Sequence, residues 1–169
     1  MTERVFKNKE MFGFKKKIEL PTNAFAAVAS GNLLPLSEVN DPVFAEKMMG
    51  EGLAIDINDD YIVAPCNGEI TMLYPTLHAF GITNEEGVNV LVHIGIDTVA
   101  LKGKGFKAYV SKGDKVRVGD KLIKVDTYEL RNKNVDLTTM MLFPDNNKKI
   151  NIIDSGSVKK GSTIVVTYE

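Results

Sequence analysis

His78 and His93 are the two imidazoles of this 169-residue sequence. Imidazole is the side chain best matched to moving a proton or a reactive group near neutral pH. His93 lies in Val88–Asp97, VNVLVHIGID, where strict alternation sends Val88, Val90, Val92, Ile94 and Ile96 to one face. The opposite face then carries Asn89, Leu91, His93, Gly95 and Asp97, so His93 is expected to stand outward beside an unshielded glycine backbone. A similar alternation in Thr76–Ile82 places Thr76, His78, Phe80 and Ile82 together. Two chemistries fit such a set. A neutral ring nitrogen can attack an electrophile and later act as its leaving group. Alternatively, His78, His93 and Asp97 offer three zinc ligands with a fourth position open, as in a zinc-dependent hydrolase or metal-binding domain. The second reading lacks the H-E-x-x-H spacing that supplies a local general base.

Other motifs fail on context. Gly103-Lys-Gly105-Phe-Lys-Ala108 matches the loose G-x-G-x-x-A pattern, but a further turn at Gly113-Asp114 follows where a phosphate-binding helix should begin. Neither a G-x-x-x-x-G-K-[ST] loop nor a G-x-S-x-G elbow occurs. The segment SKGDKVRVGDKLIKVD resembles biotinyl and lipoyl carrier domains in its paired Gly-Asp turns, yet it presents no Met-Lys-Met or Asp-Lys-Ala tip. The lone Cys66 has no disulfide partner and excludes a multi-cysteine zinc site.

The elements that must hold the histidines read as many short strands. Leu53–Ile57, Tyr61–Ala64, Glu69–Tyr74, Val88–Ile96, Lys115–Val118, Lys121–Val125 and Ser162–Tyr168 are apolar runs separated by Gly, Asn and Asp turns. This spacing predicts an all-β fold, an antiparallel β-sandwich or barrel-like domain. Helical texture is confined to Pro42–Met49 and Thr127–Lys133. Residues 18–169 are expected to form one domain. Residues 1–17, with Phe6, Met11, Phe12 and Phe14 among lysines, are expected to be a mobile tail or a weak membrane-interfacial contact. The longest unbroken apolar run, Ala24–Ala29, is far too short to span a bilayer, and no secretory leader is evident. A cytoplasmic protein is the expectation.

Charge is unevenly distributed. The net charge of −1 argues against a general nucleic-acid binder. Residues 21–97, which contain both histidines, carry a single base, Lys47, against eleven acids, whereas residues 98–169 are net positive. An acidic stretch of this kind either suits a basic partner or is evened out when folding intermixes the two halves.

Four blocks in order carry a resemblance. DPVFAEKMMGEGLAI (Asp41–Ile55), VAPCNG (Val63–Gly68), TLHAF (Thr76–Phe80) and LVHIGIDTV (Leu91–Val99), the last continued by LKGKGF (Leu101–Phe106), resemble the glucose-type enzyme IIA family of the sugar phosphotransferase system. The likeness runs from about Ala24 to Val166. It implies an antiparallel β-sandwich and a phosphotransferase component that works through a phosphohistidine. Family members take a phosphoryl group from the histidine-containing phosphocarrier protein and pass it to a cysteine on the IIB domain of a sugar permease, coupling uptake to phosphorylation. By position His93 resembles the phosphorylated nucleophile, His78 the imidazole that stabilises the phosphoryl group, and Thr76 the hydroxyl that orients His78. Gly95 resembles the residue whose carbonyl anchors the His93 ring. Asp41, Val43, Phe44, Met49, Tyr74, Leu91, Asp97 and Val99 match the family's docking surface. No cofactor or metal is required on this reading, and zinc at His78 and His93 would be adventitious or regulatory. Leu77, where an Asn commonly precedes the second histidine, and Pro42, where an aliphatic residue is frequent, depart from the family pattern.

Overall fold

The computed structural model describes residues 19–144, 148–153 and 155–169; the expected 1–17 tail lies outside them. The strands are β1 (Ala24–Ala26), β2 (Gly31–Pro35), β3 (Glu51–Ile57), β4 (Tyr61–Val63), β5 (Gly68–Leu73), β6 (Ala79–Asn84) and β7 (Asn89–Ile94). They continue as β8 (Phe106–Ala108), β9 (Lys115–Val116), β10 (Lys121–Val125), β11 (Thr139–Phe143), β12 (Ile150–Ile152), β13 (Gly156–Val158) and β14 (Ile164–Tyr168). Two short α-helices, α1 (Pro42–Ala45) and α2 (Thr127–Asn132), and two 3-10 turns, Leu36–Glu38 and Thr98–Leu101, complete the described elements. An eight-stranded sheet runs β13-β2-β3-β11-β7-β6-β5-β9, and two three-stranded sheets run β4-β10-β8 and β1-β14-β12. Their pairings are antiparallel. The all-β, antiparallel expectation holds.

The large sheet has apolar packing on both faces. On one side Leu53, Ile55, Phe80, Ile82, Val92, Ile94 and Met141 meet Ile62, Leu122, Ile123 and Val125 from the small sheet and Phe25 and Val165 from β1 and β14. On the other, Ala54, Met140 and Leu142 pack under Leu36, Val39 and Phe44 from the first 3-10 turn and α1. This second layer explains why β11, TMMLF, is buried along its whole length. It was absent from the sequence reading because a strand covered on both faces shows no alternation.

The second layer also fixes α1. Pro42 starts it, where the missing N–H is harmless. The Asp41 carboxylate caps it, accepting from Val43 N–H at 2.9 Å. The expected helix through Met49 stops early, at Ala45, because Lys47 turns into the left-handed region at φ 61°.

Two sequence expectations require correction. The strand expected through Ile96 ends at Ile94, since Gly95 and Asp97 take left-handed φ values of 79° and 57°. Asp97 therefore belongs to a turn and not to the outward strand face. The Thr76–Ile82 alternation also fails. β6 begins at Ala79, which pairs with His93, while Phe80 pairs with Val92. Paired residues share a face, so Phe80 and Ile82 enter the core, and His78 occupies the bend before the strand.

Among the described residues no helix is long and apolar enough to cross a membrane. Phe80 is fully buried directly behind this bend. Phe80→Ala should lower unfolding free energy by about 3–5 kcal/mol, the usual cost of removing a buried phenyl ring. Urea denaturation checks this, and a loss below 1 kcal/mol would mean the ring is not an integral part of the packing.

Candidate functional site

His93 projects from the centre of the large sheet, between Ala79 of β6 and Met140 of β11. The end of β7 supplies its anchor. Its Nδ1–H donates to the Gly95 carbonyl at 2.9 Å. A carbonyl only accepts, so this contact places the proton on Nδ1 and leaves the lone pair on Nε2. The Phe44 ring lies 4.9 Å from the imidazole, centroid to centroid, and backs it.

The bend before β6 brings the second imidazole alongside. The rings of His78 and His93 are 5.0 Å apart and nearly perpendicular. His78 is buried, with 4 % of its surface exposed, and its Nδ1 is 2.7 Å from Thr76 Oγ1. The Tyr74 ring meets it edge-on at 5.2 Å. Thr76, His78, His93 and Gly95 thus form one connected group.

Gly95 has no room for a side chain. A Cβ there would stand 2.4 Å from Thr98 Cγ2 and 2.9 Å from the Asp136 carbonyl oxygen. Its φ of 79° is a second reason for glycine. Leu77 also lies in the left-handed region, at φ 61°. Asn tolerates that conformation better than Leu does, which gives the Leu77 departure a physical cost.

Both histidines resist protonation. Burial lowers the pKa of His93, and the Gly95 carbonyl, Asp41 and Asp97 oppose that effect in part. Burial, followed by the neighbouring His93 ring, lowers that of His78. The site near pH 7 is therefore a pair of neutral imidazoles with two carboxylates close by. Cys66 is a poor competing nucleophile: burial, with Glu85 adding to it, pushes its thiol up to about 12.

Among the described residues no three His, Cys, Asp or Glu side chains converge to hold a metal ion. The zinc set of His78, His93 and Asp97 is therefore not assembled as three converging ligands, Asp97 lying in the turn beyond β7. The imidazole pair remains, suited to nucleophilic chemistry.

Residues 23–149 match the family described as phosphoenolpyruvate-dependent sugar phosphotransferase system, EIIA 1. The chain belongs to this EIIA family. It is 38 % identical over 160 residues to a protein of Staphylococcus epidermidis named PTS system glucose-specific EIIA component, covering 94 % of this chain and 96 % of that one. A protein of the same name from Halalkalibacterium halodurans is 39 % identical over 169 residues, covering 95 % and 97 %. A Streptococcus pneumoniae protein named PTS system glucose-specific EIICBA component is 41 % identical over 139 residues, which are 81 % of this chain but 19 % of that longer protein. The solved glucose permease IIA from Mycoplasma capricolum superposes with a TM-score of 0.78 at 38 % identity, covering 85 % of this chain and 93 % of that one. The chain is thus a phosphotransfer component with the glucose permease IIA fold.

Around the EIIA histidines the expected docking residues divide. Val43, Tyr74 and Val99 are exposed, Val99 to 54 %, and Asp97 is exposed beside them in sequence. Asp41, Met49 and Leu91 are partly buried. Phe44 is not part of an exposed ring: at 5 % exposure it packs inward against His93. Thr98, Asp136 and Thr138, which hold the Gly95 turn, escaped the sequence reading. Thr98 lies within the LVHIGIDTV block with no role given to it there, and Asp136 and Thr138 show in the sequence as a DLT triplet far along the chain.

Two outcomes follow from this geometry. In a proton NMR titration both imidazoles should titrate below 6.5, and either midpoint at or above 6.5 would contradict the burial argument. Because the folded-state values are depressed, the neutral rings contribute stability that is present above 6.5 and lost as pH falls toward the folded midpoints. Leu77→Asn should raise stability by about 0.5–1 kcal/mol, read by urea denaturation, by relieving backbone strain. An unchanged or lower value would show that Leu77 packing outweighs the strain.

Proposed function

We propose that this EIIA protein accepts a phosphoryl group on His93 Nε2 from the histidine-containing phosphocarrier protein and passes it to a cysteine on the IIB domain of a sugar permease. Glucose is the sugar indicated by the names of its relatives. The observation that carries the reading is the His93 Nδ1–H bond to the Gly95 carbonyl beside a second imidazole. Arrival of the phosphoryl group forms a P–N bond at Nε2 as the donor's P–N bond breaks, and the donor imidazole leaves with its electron pair. Transfer onward forms a P–S bond on the acceptor thiolate and breaks the P–N bond at His93. The Nδ1 proton stays on the ring throughout, so His93 leaves neutral.

His78 stabilises the transferring group. With the Thr76 hydroxyl donating to Nδ1, the His78 proton sits on Nε2 and is free to donate to a phosphoryl oxygen. The neutral ring adds no permanent charge, which keeps the phosphohistidine a willing donor. Asp41 and Asp97 serve the partner: they attract a cation of the phosphocarrier, an arginine in our reading, that offsets phosphoryl charge only while the complex lasts. Val43, Tyr74 and Val99 offer the apolar contact within that charged rim. The presence of an EIICBA relative supports an IIB partner, since one polypeptide there carries the three letters together.

Incubation with the phosphocarrier, its kinase and phosphoenolpyruvate should place one acid-labile phosphoryl group on His93, and His93→Ala should abolish labelling. Label mapped by mass spectrometry to another residue would overturn the assignment. His78→Gln should still accept the group but transfer it to the IIB domain about 10²–10⁴-fold more slowly. Wild-type rates in both directions would leave His78 a structural residue. Asp41→Asn keeps a capping side chain, and with Asp97→Asn it should slow stopped-flow transfer from the phosphocarrier most at low ionic strength, converging on wild type as salt rises. A difference independent of salt would show that charge attraction is not their role.

A further inference from the structure

The carbonyl that receives the His93 ring proton belongs to a turn whose two successive peptides are each hydrogen-bonded. Gly95 N–H donates to the Thr138 carbonyl at 3.0 Å, and Ile96 N–H to the Asp136 carbonyl at 2.8 Å. One residue earlier, the Ile94 carbonyl accepts from the Thr98 hydroxyl. The Ile94 N–H in turn donates to the His78 carbonyl at 2.7 Å. A single residue, Ile94, therefore ties the backbone of the second histidine to the turn that anchors the first.

Thr98 is fully buried, and its methyl carbon fills the space where a Gly95 side chain would stand. The facing segment is closed by its own carboxylate. Asp136 Oδ1 accepts from Thr138 N–H at 2.9 Å and from the Thr138 hydroxyl at 2.7 Å. Asp136 is exposed, and the carboxylates that act on the His93 charge are Asp41 and Asp97. Its influence on the ring is thus exerted through backbone geometry.

These contacts meet a specific need. β7 ends at Ile94, and the turn beyond it holds two left-handed residues, Gly95 and Asp97. Past the β7–β11 ladder this turn is held to the facing backbone by the Gly95 and Ile96 N–H groups, and the non-glycine Asp97 adds strain. A neutral imidazole in water carries its proton more often on Nε2 than on Nδ1. A carbonyl held steadily against Nδ1 reverses that preference, and a wandering carbonyl does not.

We propose that Thr98 and Asp136 are positioning residues that fix the tautomer of His93. They clamp the Gly95–Asp97 turn from its two sides, hold the Gly95 carbonyl against Nδ1, and so keep the lone pair on Nε2. Neither touches the reacting atoms. The tautomer statement stands on hydrogen bonding alone, whereas its kinetic consequence rests on the proposed role of His93 as phosphoryl acceptor.

Long-range nitrogen–proton NMR of the full chain, recorded where both imidazoles are neutral, reads the tautomer directly. Wild type should show His93 protonated on Nδ1. Thr98→Val keeps the shape and removes the hydroxyl, and it should move the tautomer ratio toward Nε2–H by about three- to tenfold, the worth of roughly one hydrogen bond. Thr98→Ser keeps the hydroxyl and should restore the wild-type ratio. Asp136→Ala, at an exposed position where folding is not at risk, should produce a shift in the same direction. Phosphoryl acceptance should slow in Thr98→Val and Asp136→Ala with KM for the phosphocarrier unchanged. A wild-type tautomer in both variants, even with slowed transfer, would overturn the proposal and leave the two residues merely structural. A fall of the Nδ1–H form to a minority with wild-type transfer would support the clamp and overturn Nε2 of His93 as the acceptor atom.

Discussion

The His93 site rests on one hydrogen bond, from the ring Nδ1–H to the carbonyl of Gly95 at 2.9 Å. Donor and acceptor lie two residues apart, which an extended strand would not allow, because its carbonyls point sideways into the ladder. The chain must therefore leave the β conformation immediately after Ile94. A left-handed residue does this, and the crowding by Thr98 and Asp136 limits that residue to glycine. Strand length, turn geometry and residue choice at position 95 are all consequences of a ring that needs its proton on a chosen nitrogen.

Burial and charge act on that ring in opposite senses. Packing on Phe44 and His78 takes water from the imidazole and favours its neutral, nucleophilic form. Asp41 and Asp97 favour the cation, but less strongly. The balance leaves a neutral imidazole with a free lone pair beside two carboxylates. Had the acids dominated, His93 would carry a proton on both nitrogens and have no lone pair to offer. Phe44, packed inward on the ring, is part of the burial that keeps the balance on the neutral side.

The outward face of β7 was legible because it is half-buried: one side of the strand meets the core and the other carries His93, and this writes alternation into the sequence. The β11 strand beside it was illegible for the opposite reason, since Met140 and Met141 face two different apolar layers. His78 misled in a third way. Its spacing from Phe80 and Ile82 fitted a strand, yet the backbone bends at that position so that a core strand can follow a buried polar ring. The contacts on the Gly95 turn join residues about forty positions apart through backbone bonds to the Asp136 and Thr138 carbonyls, and such bonds leave no periodic trace. The family blocks indicated which residues matter, and the pairing of β6, β7 and β11 explains how they meet.

The pairing of β1 with β14 has a consequence of another kind. Ala24 lies opposite Thr167, Asn23 Nδ2 donates to the Tyr168 carbonyl, and the Tyr168 hydroxyl donates to the Thr22 carbonyl. The polypeptide accordingly enters and leaves the sandwich at neighbouring points. A unit of this form can be spliced into a longer chain much as a cartridge is seated in a socket, with little disturbance to whatever precedes or follows it. A stretch matching 81 % of this chain makes up 19 % of a longer relative. His93 lies on β7 and His78 in the bend before β6, and neither takes part in the β1–β14 pairing.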